Sequence, residues 1–313
     1  MSRIAFLFPG QGAQYPGMGQ DLHDGLREAR EVFERADEAL GESISRICFH
    51  GLEDELALTE NTQPAILTCS VAALAGLTSR GVQAAAAAGH SLGEYSAHVA
   101  AGTLSFDDAV RTVRQRGRFM QDAVPVGTGA MAALIGLELK QVAAICEDAA
   151  GGQVVQPANL NAEKQIVIAG HAEAVERARL AALEAGARKA VPLQVSAPFH
   201  CALMEPAALR LEEVLLELPF STPDVPVYAN VLAAPVVAAD DARARLVEQV
   251  ASAVRWHETT QRLIADGFDT LIELGPGRVL TGLAKRVSRD LTLYNVSDME
   301  SLDRVAASLR EDG

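Results

Sequence analysis

The segment Gly89-His90-Ser91-Leu92-Gly93 fits the pattern G-x-S-x-G. Such a segment makes a sharp turn between a strand and a helix. Its glycines let neighbouring backbone approach, its serine oxygen stands clear of the sheet, and the N–H of the next residue faces a developing oxyanion. The chemistry on offer is nucleophilic attack on an acyl group, with an ester on Ser91 as the intermediate. A serine hydroxyl needs a base to become nucleophilic, and the chain offers seven histidines.

His200 ends the run Val195-Ser196-Ala197-Pro198-Phe199-His200, where a strand is expected to give way to a Pro-fixed turn at the mouth of a sheet. Catalytic groups of α/β proteins gather at such places, but position alone leaves a base and a structural histidine equally open. His90, beside the serine, should face the other side of the turn and serve structure. His98 lies two helical turns from His90 with Glu94 between them, a spacing that could suggest a metal face. One turn of that face is the serine turn itself and no third ligand is evident, so no metal is expected. His23, His50, His171 and His257 sit in polar surroundings with no motif around them.

The elements that must position these residues can be read from periodicity and punctuation. An apolar strand over 3–8 runs into Pro9-Gly10 and a glycine-rich stretch; a helix follows over 26–40. Thr62 as cap with Gln63-Pro64 predicts a helix opening there and running to about 80. Residues 84–89 read as a central strand despite their alanines, because the Gly-His-Ser-Leu-Gly that follows demands strand, turn and helix. Helices are predicted over 92–101 and 106–123. Between 125 and 195 the texture changes. Apolar runs at 130–135, 154–160, 165–169 and 189–195 alternate with helical stretches at 139–149 and 172–185. This β-α-β-β-α-β order is that of a ferredoxin-like unit. Beyond it come helices near 202–217, 242–250 and 259–266 and strands near 225–228, 270–273 and 292–295, with Gly275-Pro276-Gly277 between strand and helix. The expected organisation is a large α/β domain of residues 1–124 and 196–313 with a small subdomain, 125–195, inserted.

Composition narrows the function classes. Of 313 residues 49% are hydrophobic and 22% charged, which suits a globular chain with a sizeable core. With 27 Lys and Arg against 41 Asp and Glu, the net charge of −14 argues against general affinity for nucleic acid or anionic membrane. No apolar run approaches the roughly 18 residues of a membrane span, and the apolar start is too short for a signal peptide, so a cytoplasmic protein is expected. Cys48, Cys69, Cys146 and Cys201 lie far apart with no C-x-x-C pairing and read as small buried hydrophobes.

Five motifs occur in order: Phe8-Pro9-Gly10-Gln11-Gly12, Gly89-His90-Ser91-Leu92-Gly93-Glu94, Gln115-Arg116-Gly117, Ser196-Ala197-Pro198-Phe199-His200 and Glu273-Leu274-Gly275-Pro276-Gly277. Together they closely resemble the malonyl-CoA:acyl carrier protein transacylases, over a stretch from Ile4 to about Arg286. The resemblance implies a hydrolase-like α/β domain with a parallel sheet plus an inserted ferredoxin-like α+β subdomain, and an active site in the cleft between them. It implies Ser91 as nucleophile and His200 as its base, with the imidazole oriented by main-chain carbonyl near Gln249 in place of a triad aspartate. The N–H groups of Gln11 and Leu92 would form the oxyanion hole. Arg116 would pair with the malonyl carboxylate, a task its planar fork suits, although helical position alone would make it a solvated surface arginine. Gln63 and Asn159 match positions lining the acyl and coenzyme sites. Phe199 occurs in malonyl-selective relatives where other members have serine. The chain departs from the family at Ser252-Ala253, where Asn-Pro is common, so the carbonyl geometry around His200 is the point to inspect.

The implied reaction is ping-pong transfer from malonyl-CoA to the phosphopantetheine thiol of an acyl carrier protein, with no metal or redox cofactor and a monomeric enzyme. The motifs are shared by enzymes of fatty acid synthesis and by acyltransferases acting in trans on polyketide synthases; supply of extender units for fatty acid synthesis is the expectation. A serine esterase or thioesterase is the rival, but hydrolases of the α/β type place histidine late in the chain, whereas 113 residues follow His200 here. A silent docking module for carrier proteins is a second rival, opposed by the intact Ser91 and His200 pair. Because carrier proteins of this pathway are acidic too, docking requires a local basic rim, for which Arg188-Lys189 and Lys285-Arg286 are the candidates.

Overall fold

Ten strands organise the computed structural model, which describes residues 2–125 and 127–311. They are β1 (Ile4–Phe8), β2 (Ala86–Gly89), β3 (Gly129–Ile135), β4 (Val155–Ala162), β5 (Gln165–His171), β6 (Lys189–Pro192), β7 (Val227–Ala229), β8 (Ala234–Val236), β9 (Thr270–Leu274) and β10 (Thr292–Val296). Six of them form one sheet in the order β10-β9-β1-β2-β7-β8. All its pairings are parallel except β7 with β8, the antiparallel edge. The other four form an antiparallel sheet in the order β4-β5-β3-β6. The fold is α/β, a largely parallel sheet with a separate antiparallel one, as the sequence predicts.

Strand β2 forms from three alanines because of where it lies. Ala86, Ala87 and Ala88 are buried between β1 and β7, and helices cover both faces of a parallel sheet, so tertiary burial overrides alanine's helical preference. Phe6, Phe8 and Ile272 face one core, while Ala5, Leu7 and Leu271 face another on the opposite side, the alternation a strand requires. The antiparallel sheet carries the helices Leu139–Ala150 and Ala172–Glu184 over a core of its own that includes Leu134, Val142, Ile168 and Val175. Its strand order is the one a β-α-β-β-α-β chain gives in a ferredoxin-like unit. The antiparallel sheet is tied to the rest of the chain beside the helix Trp256–Ala265, where Leu160 N–H donates to the Val254 carbonyl at 2.8 Å and Val254 N–H to that of Ala158 at 2.9 Å.

Several boundaries differ from those predicted. The helix expected to open at Thr62 begins earlier, as Thr59–Ser79, with Pro64 inside it. Thr62 is no cap: its hydroxyl donates back to the carbonyls of Leu56 and Leu58 at 2.6 and 3.1 Å. Pro64 lies in the second turn, where it deprives the Glu60 carbonyl of its intrahelical donor. Strand β6 stops at Pro192, short of 195. Strand β8, with Pro235 inside it, is a three-residue edge strand that proline hides from a periodicity reading. The helices Gln20–Gly25, Ile44–His50, Glu53–Ala57 and Met299–Glu311 were not anticipated. The first three are too short to develop a helical period. After the Gly275-Pro276-Gly277 turn, the buried Glu273 carboxylate accepts from Leu280 and Thr281 N–H at 3.0 and 2.8 Å, fixing the start of the helix Val279–Val287 to the end of β9. All four cysteines are free and buried. Among the described residues no helix is long and apolar enough to cross a membrane.

Candidate active site

Strand β2 ends at Gly89 and the helix Gly93–Ala100 begins directly after Leu92, so Ser91 sits on the turn between them. Its φ of 52° is left-handed, a conformation that costs a non-glycine residue of order 1 kcal/mol or more and must be held by its surroundings. The flanking glycines make the turn possible. A Cβ on Gly89 would lie 1.9 Å from the Gly93 oxygen, and one on Gly93 would lie 2.2 Å from the Phe8 oxygen. Gly93→Ala is therefore expected to lower stability by more than about 2 kcal/mol, because the backbone of Phe8 and Pro9 that the new Cβ would meet cannot move aside as a side chain could. Urea unfolding monitored by circular dichroism measures it; a midpoint unchanged from wild type would show a looser turn.

The catalytic pair is already assembled. Ser91 Oγ and His200 Nε2 are 2.7 Å apart, and His200 Nδ1 lies 2.9 Å from the Gln249 carbonyl oxygen. A carbonyl can only accept, so Nδ1 carries the proton and Nε2 is free to accept from the serine hydroxyl. One backbone oxygen thus does the orienting that an aspartate does in a triad. The geometry holds although Ser252-Ala253 replaces the common Asn-Pro. His200 itself has a φ of 61° and is buried. Burial, reinforced by the Arg116 charge, pushes its pKa down to about 3.

A depressed histidine pKa has a definite sign. The contribution of His200 to stability is complete above its ordinary value of 6.5 and is lost as pH falls toward about 3, because the unfolded chain takes up the proton first. For the same reason the rate of Ser91 acylation should be flat between about pH 5 and 7, with no acid limb at an ordinary histidine value. Rapid-quench loading across that range checks this, and an inflection near 6.5 would mean a solvated imidazole.

Arg116 is not a solvated surface arginine: it is 1% exposed. The helix Phe106–Asp122 packs tightly on Thr59–Ser79 where a Cβ on Gly117 would come within 2.7 Å of the Thr59 oxygen. That close approach lets Arg116 Nη1 donate to Gln63 Oε1 at 2.7 Å. Its Nη2 donates to Ser91 Oγ at 3.2 Å and to Gln249 Oε1 at 2.9 Å, and the guanidinium carbon lies 5.7 Å from the Tyr95 ring centre. A guanidinium held by neutral groups beside a nucleophile is arranged to receive an anion.

Gln11, Gln63, Leu92, Asn159 and Phe199 line the pocket around Ser91, His200 and Arg116. The main-chain N–H groups of Gln11 and Leu92 donate to no protein acceptor among the described residues, which leaves both available to an oxyanion. Met120, Met131, Leu193 and Val195 make the remaining wall apolar. Arg188, Lys189, Lys285 and Arg286 stand apart from this pocket. Arg188 and Arg286 border a separate cavity with Lys164 and His257, where Arg286 Nη1 bonds Gln165 Oε1, and Lys285 flanks Arg286 in another. His90 bonds Asn161 Oδ1 at 2.9 Å and lies against Trp256, but it also borders the Ser91 pocket and does not simply face the other side of the turn. His98 is buried and burial lowers its pKa to about 3; no cluster able to hold a metal ion occurs among the described residues.

Asn230 was missed from sequence. Buried just past β7, it accepts from Ser91 N–H at 2.7 Å on Oδ1 and donates to the Gly89 carbonyl at 2.7 Å from Nδ2, bracing the turn from below. No local motif marks it. Glu94, quoted within the serine motif but weighed only as a metal ligand, is fully buried in the helix below the turn. Burial pushes its carboxyl up to about 7, against the Asn230 and Gln249 donors and the Arg116 charge that pull it down.

Known proteins share both the sequence and this architecture. A family described as the acyl transferase domain matches residues 5–312. The malonyl CoA-acyl carrier protein transacylase of Bacillus subtilis (strain 168) is 50% identical over 316 aligned positions, covering 100% of this chain and 99% of the relative. The solved structure of the corresponding transacylase from Coxiella burnetii superposes with a TM-score of 0.96 at 42% identity, over 98% of this chain and 97% of that one. A malonyl-transacylase solved in complex with its type II PKS acyl-carrier protein gives a TM-score of 0.96 at 44% identity, over 98% of this chain and 100% of that one. Identity at this level along essentially the whole length of both partners, with the same fold, means that the chain belongs to the acyl transferase family and, within it, to the malonyl CoA-acyl carrier protein transacylases.

Proposed function

We propose that this chain transfers the malonyl group of malonyl-CoA to the phosphopantetheine thiol of an acyl carrier protein through an ester on Ser91, supplying extender units for fatty acid synthesis. The observation that carries the reading is the buried Arg116 guanidinium 3.2 Å from Ser91 Oγ, a receptor for an acyl group that bears its own carboxylate. Ser91 Oγ attacks the thioester carbonyl while His200 Nε2 takes its proton, and the oxyanion forms against the N–H groups of Gln11 and Leu92. The tetrahedral centre collapses, coenzyme A leaves as the thiol with the proton returned by His200, and malonyl-Ser91 remains. The carrier thiol then gives its proton to His200, attacks the ester, and Ser91 recovers its hydrogen. Pairing of the malonyl carboxylate with Arg116 also relieves one of the charges that hold the His200 pKa down, so the base strengthens when the right substrate is bound. No metal or redox cofactor takes part. The enzyme works as a monomer in the cytoplasm.

A serine hydrolase would release malonate with water as acceptor. Rapid mixing with malonyl-CoA alone separates the two: a transferase gives one burst of coenzyme A per enzyme and then stops until a thiol arrives. Continuous malonate release at the burst rate would refute the transferase reading. The similarity to a type II PKS transacylase favours a second acceptor, a polyketide carrier protein; comparing kcat/KM for carrier proteins of the two pathways ranks them.

For docking, we propose that the basic doublets Arg188-Lys189 and Lys285-Arg286 receive the acidic carrier protein, since the net charge of −14 otherwise repels it. Charge reversal, Lys285→Glu with Arg286→Glu, should raise KM for carrier protein on the order of tenfold at low salt and leave malonyl loading of Ser91 unchanged. Stopped-flow loading with steady-state transfer distinguishes the steps, and an equal loss in loading would give the doublet a structural or coenzyme-binding role.

A further inference from the structure

Gln249, in the last turn of the helix Ala239–Ala251, is bonded to His200, to Arg116 and to the backbone of Ser91. Its main-chain oxygen orients His200, its Oε1 accepts from Arg116 Nη2 at 2.9 Å, and its Nε2 donates to the Ser91 carbonyl at 3.0 Å and to Glu94 Oε2 at 2.8 Å. The two ends of a side-chain amide are alike in shape and opposite in polarity. Turned end for end, the amide would set its NH2 against the N–H groups of Arg116 and its oxygen against two acceptors. Arg116 cannot be what prevents this during turnover, because it must be free to engage the substrate.

Glu94 can. Its Oε2 accepts from Gln249 Nε2 and from Asn230 N–H, and with the Ser91 carbonyl it selects the NH2 end of Gln249 whatever Arg116 is doing. Glu94 is itself fixed, since Oε2 also accepts from Asn230 N–H at 2.9 Å and the Asn230 side chain grips both ends of the serine turn. The other oxygen, Oε1, is buried with no hydrogen-bond partner among the described residues. A proton taken up there would leave Oε2 accepting as before.

We propose that Glu94 is a positioning residue for acyl selection: by fixing the orientation of the Gln249 amide it holds Arg116 in the pose that receives the carboxylate of the incoming acyl group. The proposal rests on the reading of Arg116 as the carboxylate receptor. Its expected signature is a loss confined to substrates that carry that carboxylate.

The test compares loading of Ser91 from malonyl-CoA and acetyl-CoA in the full-length enzyme. Glu94→Met, of similar length but without an acceptor, should lower kcat/KM for malonyl-CoA on the order of 30-fold and change that for acetyl-CoA by less than about threefold. Glu94→Gln keeps an oxygen able to accept from both Gln249 and Asn230, so both substrates should stay within about threefold of wild type. Parallel loss of the two substrates in Glu94→Met would overturn the proposal in favour of a role in folding alone. An equal fall of malonyl loading in Glu94→Gln and Glu94→Met would also overturn it, assigning the effect to charge. Should Glu94→Met fail to fold, Glu94→Asp, whose shorter reach leaves Gln249 behind, should give the same selective loss at about tenfold, and a parallel loss would again reject the idea. Failure of the underlying reading looks different: Arg116→Ala would then lose both substrates together, whatever the Glu94 variants do.

Discussion

Ser91→Ala should acquire no malonyl group when mixed with malonyl-CoA, even on long incubation. Ser91 is the one hydroxyl-bearing residue lining the pocket among the described residues, and its oxygen lies 2.7 Å from the nitrogen that must take its proton. Removing it therefore removes the covalent intermediate and not just a contribution to its formation. His200→Ala should be slowed severely, by roughly three to six powers of ten, but not silenced, because the two oxyanion N–H groups and Arg116 remain in place. Positions that act as one unit are not additive, so Ser91→Ala combined with His200→Ala should be no worse than Ser91→Ala alone. Both variants should fold, since neither residue carries a structural bond that the turn lacks elsewhere: Asn230 holds the Ser91 backbone, not its hydroxyl. A malonyl ester found on Ser91→Ala would move the nucleophile to another residue.

Arg116→Ala should change which acyl group is transferred. The malonyl carboxylate must leave water to enter the pocket, and a buried charge without a partner costs several kcal/mol. Arg116 provides the partner, with Gln63 and Gln249 holding its fork in place. Alanine leaves the carboxylate unmatched, and malonyl transfer should fall on the order of 100-fold, about 3 kcal/mol. Acetyl carries no such charge. In the wild type it brings no counter-charge to the guanidinium, so in Arg116→Ala its transfer should fall little or rise. Values of kcat/KM for both thioesters on both enzymes decide the matter, and a parallel fall would remove Arg116 from specificity.

Legibility from sequence followed the range of the interactions. The serine turn is local, since glycines at fixed offsets and a strand before them suffice, and Ser91 could be proposed from five residues. The alternating texture between 125 and 195 likewise announced two helices and four strands. His200 could not be assigned from position alone, because its partner lies more than one hundred residues away in the chain; only the set of motifs resembling a family singled it out. The burial of Arg116 was illegible for a related reason: its helix buries the residue against Thr59–Ser79, and the enabling feature is the absent Cβ of Gly117, a contact between helices and not a pattern within one. Asn230 left no trace in the sequence because a short strand end carries no period and its side-chain bonds to Gly89 and Ser91 run to a turn more than one hundred residues away. Thr62 was misread because the same hydroxyl that caps a helix can donate to a carbonyl one turn back.

The central claim is that malonyl rests on Ser91 between two half-reactions, and intact-protein mass spectrometry tests it most directly. Wild-type enzyme mixed with malonyl-CoA should gain the mass of one malonyl group, hold it in the absence of a thiol acceptor, and lose it when holo acyl carrier protein is added, with that mass appearing on the carrier. Under the same conditions methylmalonyl-CoA and acetyl-CoA should label it more slowly. An enzyme that gains no mass while malonyl still reaches the carrier protein would contradict the covalent mechanism built on Ser91, His200 and Arg116.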